Sequence, residues 1–503
     1  MPNTATKLLT FILTASCACA QYIPPSPAVP VPGAIDDYLK ATDPGLAGWD
    51  FGVNERLRSE NKSDAGTTHA GSNYDFSAAS PTDNSNDYWL SRLFLRLAYT
   101  GDWFKVFVEA RSSYSFDDNR YTATAAGKNL AENDGPMQLQ MAYVAIGNQK
   151  EFPVTAKIGR QELIYGDQRL VGNAFWLNIP HTFDAVKVRY QDSFLGVDLF
   201  AANLVYVDED HFEDSNSKDT LSGAYVDIPG FSANDINEAY LISRNVSRGI
   251  VNDNWSQIPA PFRFTAPQDI YTFGYHLKSK PGSYGHWDYN LEAMWQFGDR
   301  TAVFPATSVA VAEVAPRLDQ HAWAFIVQGG YTWVDDPFKP RVALIISAAS
   351  GDKNATDDES QTFQNLLPSN HGLYGIMDLS SLQNIVDSRL SYTMKPSATA
   401  SFALDFHKQY LETTGDFWYN VAGVPRNTPG ATPGSGKGFN VNPGYSSDLG
   451  EEVDAIAGWT VHRGLLLEAG VGHFFRGEYI KQSLSKVGSS DANYLYIQAT
   501  LNL

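Results

Sequence analysis

The chain has 503 residues, with 56 acidic and 37 basic side chains and a formal net charge of −19, which argues against nucleic acid as a partner. Its two cysteines, Cys17 and Cys19, lie within the first twenty residues, so the rest of the chain can form neither a disulfide framework nor a cysteine-based catalytic or metal site. Aromatic residues are abundant, but no apolar run approaches the roughly 20 residues of a membrane-spanning helix.

The N-terminus has the pattern of a secretory signal peptide. Lys7 precedes a short apolar run, and an A-x-A cleavage signal ends at Ala20. We expect residues 1–20 to be removed, although either cysteine could instead mark a lipoprotein. Residues 21–48 begin with five prolines and are expected to form an extended leader.

Beyond this leader, apolar and polar residues alternate with a period of two, which predicts β-strands with one apolar face. In the clearest segment, 286–297, an apolar face runs from Trp287 to Phe297, and Asp288 and Glu292 lie on the other face. Large aromatic residues at both ends of the apolar face are typical of a lipid-facing strand, whose rings lie at the two membrane interfaces.

Sixteen segments carry this pattern, each near or above the roughly 9–11 residues of a membrane-crossing strand. They are 49–59, 88–99, 103–116, 137–147, 154–163, 182–191, 195–205, 269–279, 286–297, 321–333, 340–350, 385–395, 398–410, 450–461, 464–475 and 493–503. The sequence therefore predicts an all-β fold, a transmembrane, antiparallel, up-and-down β-barrel over residues 49–503.

The connections between these segments alternate strictly between short and long. Bacterial outer-membrane barrels have short periplasmic turns and long extracellular loops, so the pattern predicts an outer-membrane protein with both termini in the periplasm. The chain ends on the apolar residue Leu503, as expected for a substrate of the barrel insertion machinery. We expect a monomer in contact with outer-membrane lipids and lipopolysaccharide.

The polar face of the strands carries many bases. On a barrel this face lines the lumen, because an Arg or Lys against lipid costs about 2–4 kcal/mol at the membrane midplane. Rings of Arg and Lys select anions; alternatively, they neutralise lumenal acids in cross-strand pairs. The predicted pore-lining residues are Arg56, Arg58, Arg92, Arg96, Lys105, Glu109, Arg111, Lys187, Arg189, Lys278, Glu292 and Arg389.

The acidic residues are densest in two long loops, around Asp208 and Asp210 and around Asp357 and Asp358. Their simplest role is solvation of exposed loops. Carboxylate oxygens are also the ligands of Ca²⁺ and Mg²⁺, so these four residues are weak candidates for a metal site that bridges to anionic lipid headgroups. No other cofactor is expected.

Catalytic motifs are scarce. The stretch 431–439 (ATPGSGKGF) suggests a phosphate loop but lacks the first glycine and the residue after lysine that the motif requires. The paired acids Asp288 and Glu292 could serve acid–base catalysis, but they are better explained as wall residues of a wet lumen. We therefore expect no enzyme activity.

Several stretches resemble the alginate export porins of bacterial outer membranes. They are 159–163 (GRQEL) with 165–172 (YGDQRLVG), 368–371 (PSNH), and 467–475 (LEAGVGHFF) near the C-terminus. The resemblance covers nearly the whole chain after the leader. It implies a single-chain barrel of eighteen strands and an arginine-rich lumen that passes an acidic polysaccharide.

The resemblance further implies that Arg160 and Arg169 face the pore at a strand–loop junction. It extends the expected strand number to 16–18, the additional pair lying either in 206–268, around residues 239–242, or in 298–320, around residues 309–311.

The leading functional hypothesis is a channel for passive export or diffusion of an anionic polysaccharide or its oligomers. The alternative is a general or carbohydrate-selective diffusion porin. Two other classes remain open: an outer-membrane enzyme that uses lumenal carboxylates, and an adhesin built on the long loops.

Overall fold

The computed structural model describes residues 33–63, 76–77, 85–118, 132–207, 212–247, 267–301, 316–426 and 431–503. The predicted signal peptide lies outside these ranges. Within them, none of the helices has the length and apolarity that a membrane-spanning helix requires.

Eighteen strands form one sheet in which each strand pairs antiparallel with the next, and the last pairs with the first. Their bounds are β1 Trp49–Ser63, β2 Asn86–Thr100, β3 Phe104–Phe116, β4 Asp134–Ile146, β5 Val154–Gln161, β6 Phe183–Gln191, β7 Gly196–Val205, β8 Ser215–Asp227, β9 Asp235–Val246, β10 Gln268–Ser279, β11 Trp287–Thr301, β12 Arg317–Thr332, β13 Arg341–Ala349, β14 Ile385–Met394, β15 Ala400–Tyr410, β16 Asp448–His462, β17 Leu465–Arg476 and β18 Ala492–Asn502. The sheet is therefore a closed up-and-down barrel, as predicted.

All sixteen predicted strands are present, and the missing pair is β8 and β9. Both lie in 206–268, and β9 contains residues 239–242. The other position considered, residues 309–311, lies outside the described residues. The strand number of eighteen agrees with the family resemblance.

The alternation of connection lengths is preserved, because β8 and β9 are joined by a short link, 228–234. β1 begins and β18 ends at the short-link end, where the backbone of Leu503 exchanges two hydrogen bonds with Val53 (N···O 2.9 and 3.2 Å). Both termini of the barrel therefore lie at the same end.

Part of the predicted extended leader is helical. Helix α1 spans Ala34–Thr42 and a 3₁₀ turn follows at Pro44–Leu46; residues 21–32 are outside the described ranges. The prolines end before α1, which has two acids in its first turn and a lysine in its last, both favourable to the helix dipole. Asp36 also accepts a hydrogen bond from the backbone N–H of Phe51 (3.1 Å) and so fixes α1 to β1.

The two faces of the barrel wall differ sharply in exposure. Leu57, Trp295 and Ile497 point outwards and are 48%, 66% and 59% exposed, while Arg58 and Arg92 point inwards and are fully buried. A lumen filled only with water would leave the inward residues exposed. Protein must therefore occupy the lumen.

Two of the long loops fill it, L3 (162–182) and L7 (350–384). L7 contains a two-residue strand, Glu359–Ser360, that pairs parallel with β12. The apolar residues of both loops form one buried cluster with wall residues of the interior, among them Leu163, Leu170, Met377, Leu382, Ile242, Met294 and Ile326. The barrel interior thus contains a packed core.

Candidate functional site: the constricted lumen

Three guanidinium groups of β1 and β2 bind the backbone of L3. Arg56 donates to the carbonyls of Phe175 (3.2 Å) and Trp176 (3.0 Å), Arg92 donates to Phe175 (2.9 Å), and Arg58 donates to Trp176 (2.8 Å). Within the described part of the chain, no carboxylate forms an ion pair with Arg56 or Arg92, which are also direct cross-strand partners. This cationic patch is therefore occupied by peptide carbonyls.

The first turn of L3 binds β10 and β11. In the closed sheet these strands lie half the circumference away from β1 and β2, so they form the opposite wall. Asp167 accepts hydrogen bonds from Lys278 (2.9 Å) and Asn290 (2.6 Å), and Arg169 lies 3.6 Å from Glu292. Burial alone would raise the pKa of Asp167, but Lys278 and then other nearby cations hold it below its usual value. L3 therefore crosses the whole lumen.

L7 is bound to the wall at β14 and β16. Arg389 donates to the carbonyl of Gly372 (3.1 Å). The carboxylate of Glu452 accepts from the backbone N–H of Met377 (2.9 Å), and Asp454 accepts from the N–H of the preceding residue (3.1 Å). The buried acids of β16 thus serve as anchors for a loop backbone.

L3 and L7 are joined to each other at the centre of the barrel. Leu367 donates to the carbonyl of Leu170 (3.0 Å) and accepts from the N–H of Gly172 (2.9 Å). The rings of Trp176 and His371 stack in parallel, with centroids 3.7 Å apart. The two loops therefore form one hydrogen-bonded layer across the lumen, and this layer limits the cross-section available to a solute.

Most of the predicted pore-lining bases have carboxylate partners. The ion pairs include Arg96–Asp50 (3.1 Å), Arg111–Glu213 (2.8 Å), Lys187–Asp198 (3.1 Å), Arg189–Asp198 (2.9 Å), Arg189–Asp227 (2.7 Å), Lys278–Asp167 (2.9 Å) and Arg389–Asp405 (2.6 Å). Glu109 is the cross-strand partner of Arg96. Neutralisation therefore accounts for many of these bases, as the alternative interpretation allowed.

Arg160 lies near the long-loop end of β5 and is covered by protein. Its register partner on β6 is Asp184, and the two residues form an ion pair (2.9 Å). Arg160 is 6% exposed, and its guanidinium also donates to the backbone carbonyl of Glu213 (3.1 Å). Its pore-facing position stays a prediction, whereas Arg169 lies inside the barrel as part of L3.

Two lysines near the short-link end form no ion pair with a carboxylate of the described residues. Lys105 lies on the inner face of β3, with its Nζ 5.5 Å from the centre of the Phe107 ring. Lys157, on β5, is the cross-strand partner of Lys187, and its Nζ lies 3.9 Å from the ring of Tyr143. The site prediction did not include Lys157, although it alternates with outward-facing apolar residues.

The weak metal candidates find no support as a cluster. Asp357 and Asp358 are exposed, and no group of three or more His, Cys, Asp or Glu among the described residues could hold a metal ion. Asp208 and Asp210 lie outside the described residues. The stretch 431–439 is an irregular part of the loop L8 (411–447), and no helix follows it, so it lacks the architecture of a phosphate loop.

The match to a known family decides what kind of barrel this is. Residues 49–493 match the alginate export family, whose description is "Alginate export". The chain belongs to the alginate export family. No curated protein matches it.

Solved barrels of Pseudomonas aeruginosa have a similar fold. OpdK with vanillate shares 11% identity at a TM-score of 0.52, with 90% of this chain and 98% of that chain covered. OccK11 (OpdR) shares 11% identity at a TM-score of 0.50, with 90% and 96% covered. OccK2 (OpdF) in complex with glucuronate shares 10% identity at a TM-score of 0.50, with 90% and 98% covered. This alginate export family member is an outer-membrane β-barrel channel with a porin fold.

Proposed function

We propose that this channel passes short, hydroxylated anions, such as oligomers of an acidic polysaccharide, across the outer membrane by passive diffusion. The observation that carries the proposal is the joined layer of L3 and L7, which is bound to opposite walls of the lumen. A solute must pass beside this layer or displace part of it, so short oligomers are favoured over a long polymer.

The basic residues near the short-link end support an anionic cargo. Lys105 and Lys157 form no ion pair with a carboxylate of the described residues, and they lie on neighbouring parts of the inner wall with Lys187. Basic side chains along a pore attract and select anions. Family membership supports the same cargo class, because alginate is an acidic polysaccharide.

The expected orientation follows from the same comparison with outer-membrane barrels. Short links lie in the periplasm and long loops outside the cell, which would put L3 and L7 at the extracellular mouth and both termini in the periplasm. Contacts with lipopolysaccharide, assembly by the barrel insertion machinery and a monomeric state belong to this proposal.

Solute flux into liposomes tests the proposal. Purified protein in liposomes should admit a uronic-acid disaccharide faster than a neutral disaccharide of the same size, and should exclude long polymer. Equal rates for the two disaccharides would favour the general or carbohydrate-selective porin instead. Rapid entry of long polymer would contradict the limit set by L3 and L7.

A further inference from the structure

A cavity of about 370 Å³ lies at the long-loop end of the barrel, among L3, L7 and L8. Its apolar lining includes Leu177 of L3, Leu367 of L7 and Val421 of L8. Sites for small molecules have volumes of roughly 300–1,000 Å³ and combine apolar walls with a few polar groups. The volume suits one or two sugar rings.

Three polar residues that line this cavity carry buried atoms without a hydrogen-bond partner in the described part of the chain. Asn365 is only 4% exposed, and both its Nδ2 and its Oδ1 are unpartnered; so are Oδ1 of Asn370 and Nδ1 of His181. Buried polar groups in native proteins are almost always hydrogen-bonded. Several orphaned atoms around one cavity therefore point to a ligand that supplies their partners.

The chemistry of these atoms narrows the class of ligand. The amide of Asn365 offers one donor group and one acceptor side by side, which two neighbouring hydroxyl groups can satisfy together. Oδ1 of Asn370 needs a donor, which a hydroxyl provides and a carboxylate does not. Burial lowers the pKa of His181 to about 4, so its ring is neutral at physiological pH and adds no charge.

The charged side chains around the cavity are largely paired. Arg244 binds Asp219 (2.7 Å), and His371 binds Asp378 (3.0 Å). Arg300 also lines the cavity and has interaction partners of its own. Recognition would therefore depend on hydroxyl groups, which sugar acids and neutral sugars share.

We propose that this cavity is a binding site for a single hydroxylated ligand of one or two sugar rings, held through neighbouring hydroxyls by Asn365 and Asn370. The site would capture the ligand at the long-loop mouth, beside the layer of L3 and L7. This inference rests on the proposed function for the class of cargo, but it concerns binding and not passage.

Calorimetric titration of the full-length protein in detergent tests the site. Glucuronate and glucose should both bind, whereas succinate, which has carboxylates but no hydroxyls, should not. The N365L variant should bind at least tenfold more weakly, because it removes both amide atoms. The matched control is N354L, in an exposed part of the same loop, which should bind like the wild type.

Three results would overturn the inference: no binding of either sugar, succinate binding as tightly as glucuronate, or N365L binding like the wild type. If N365L does not fold, N370A serves in its place, with the same expectation. Anion flux without sugar binding would remove this inference and leave the proposed function intact. Sugar binding without anion flux would leave this inference intact and remove the proposed function.

Discussion

Arg56 and Arg92 illustrate how a residue type can be predicted without its role. Their inward position follows from the cost of an arginine against lipid, and both are buried on the inner face. Guanidinium groups bind carboxylates and carbonyl oxygens alike, and here L3 supplies carbonyls. The partner depends on how a loop folds back through the barrel, which strand periodicity does not encode.

Replacing Arg92 should loosen L3. The R92Q variant loses the hydrogen bonds from a charged donor to the carbonyls of Phe175 (2.9 Å) and Leu177 (3.0 Å), each such bond contributing roughly 1.5–3 kcal/mol. We expect a higher single-channel conductance and faster proteolysis within L3. The control is R317Q, at an exposed position of the barrel rim. Unchanged conductance in R92Q would show that L3 does not limit the pore.

Asp167 should anchor the other side of L3 even in mild acid. The pKa of Asp167 is lower in the folded protein than in the unfolded chain, where it is about 3.9. The stability that Asp167 contributes is therefore fully present above about pH 3.9. It is lost only as the pH falls through the lower pKa of the folded protein. In the wild type, L3 should therefore stay protected from proteolysis between pH 7 and pH 5.

The D167N variant should raise conductance across that whole range. It leaves Lys278 without its ion-pair partner. Breaking a fully buried pair in this way lowers the free energy of unfolding by roughly 3–5 kcal/mol. The effect is smaller here, because the side chains of Lys278 and Asp167 are 11% and 13% exposed. Conductance recorded at each pH measures the effect of the variant. In the wild type, cleavage within L3 that begins between pH 7 and pH 5 would contradict this role for Asp167.

At the scale of elements, β8 and β9 explain where sequence periodicity fails. Tyr225 of β8 and Tyr240 of β9 point inwards and stack on each other (centroids 5.4 Å apart). Tyr225 also stacks on Tyr165 of L3 (centroids 4.7 Å apart). The inner face is apolar there because it packs against a loop. The strand prediction relied on apolar residues that alternate with polar, lumen-facing residues. It therefore found sixteen strands but not β8 and β9, whose inner faces are apolar.

The composition of L7 indicates that this loop folds into the barrel. Residues 373–382 (LYGIMDLSSL) contain six apolar side chains, all of them buried, whereas exposed loops are usually polar. Apolar composition in a predicted long loop is thus a usable signal for a loop that enters the barrel. The position it takes there depends on side-chain contacts with distant strands and is not readable from the sequence.

The anchors of L7 can be tested by removing one acceptor. The E452L variant removes the acceptor of the Met377 N–H, and leaving a buried donor without a partner costs roughly 1–3 kcal/mol. We expect increased proteolysis of L7 and a noisier channel current. The neighbouring E451L variant is the matched control, because Glu451 is 42% exposed. Equal behaviour of the two variants would contradict the anchoring role.

At the scale of the whole molecule, the closed barrel and the joined pair of loops have different roles. In the function we propose, the barrel provides passage through the outer membrane, and the layer of L3 and L7 limits what can pass. Net charge alone is a poor guide to selectivity: the chain carries −19 in total, yet Lys105 and Lys157 form a basic inner surface near the short-link end.

The measurement that tests this account most directly is the reversal potential of the purified channel across a planar bilayer with a salt gradient. We expect anion selectivity in the wild type and a shift towards cations in the K105Q/K157Q double variant. The K150Q variant, at an exposed position of a short link, should behave like the wild type. Cation selectivity in the wild type, or a double variant that keeps the wild-type potential, would contradict an anion channel.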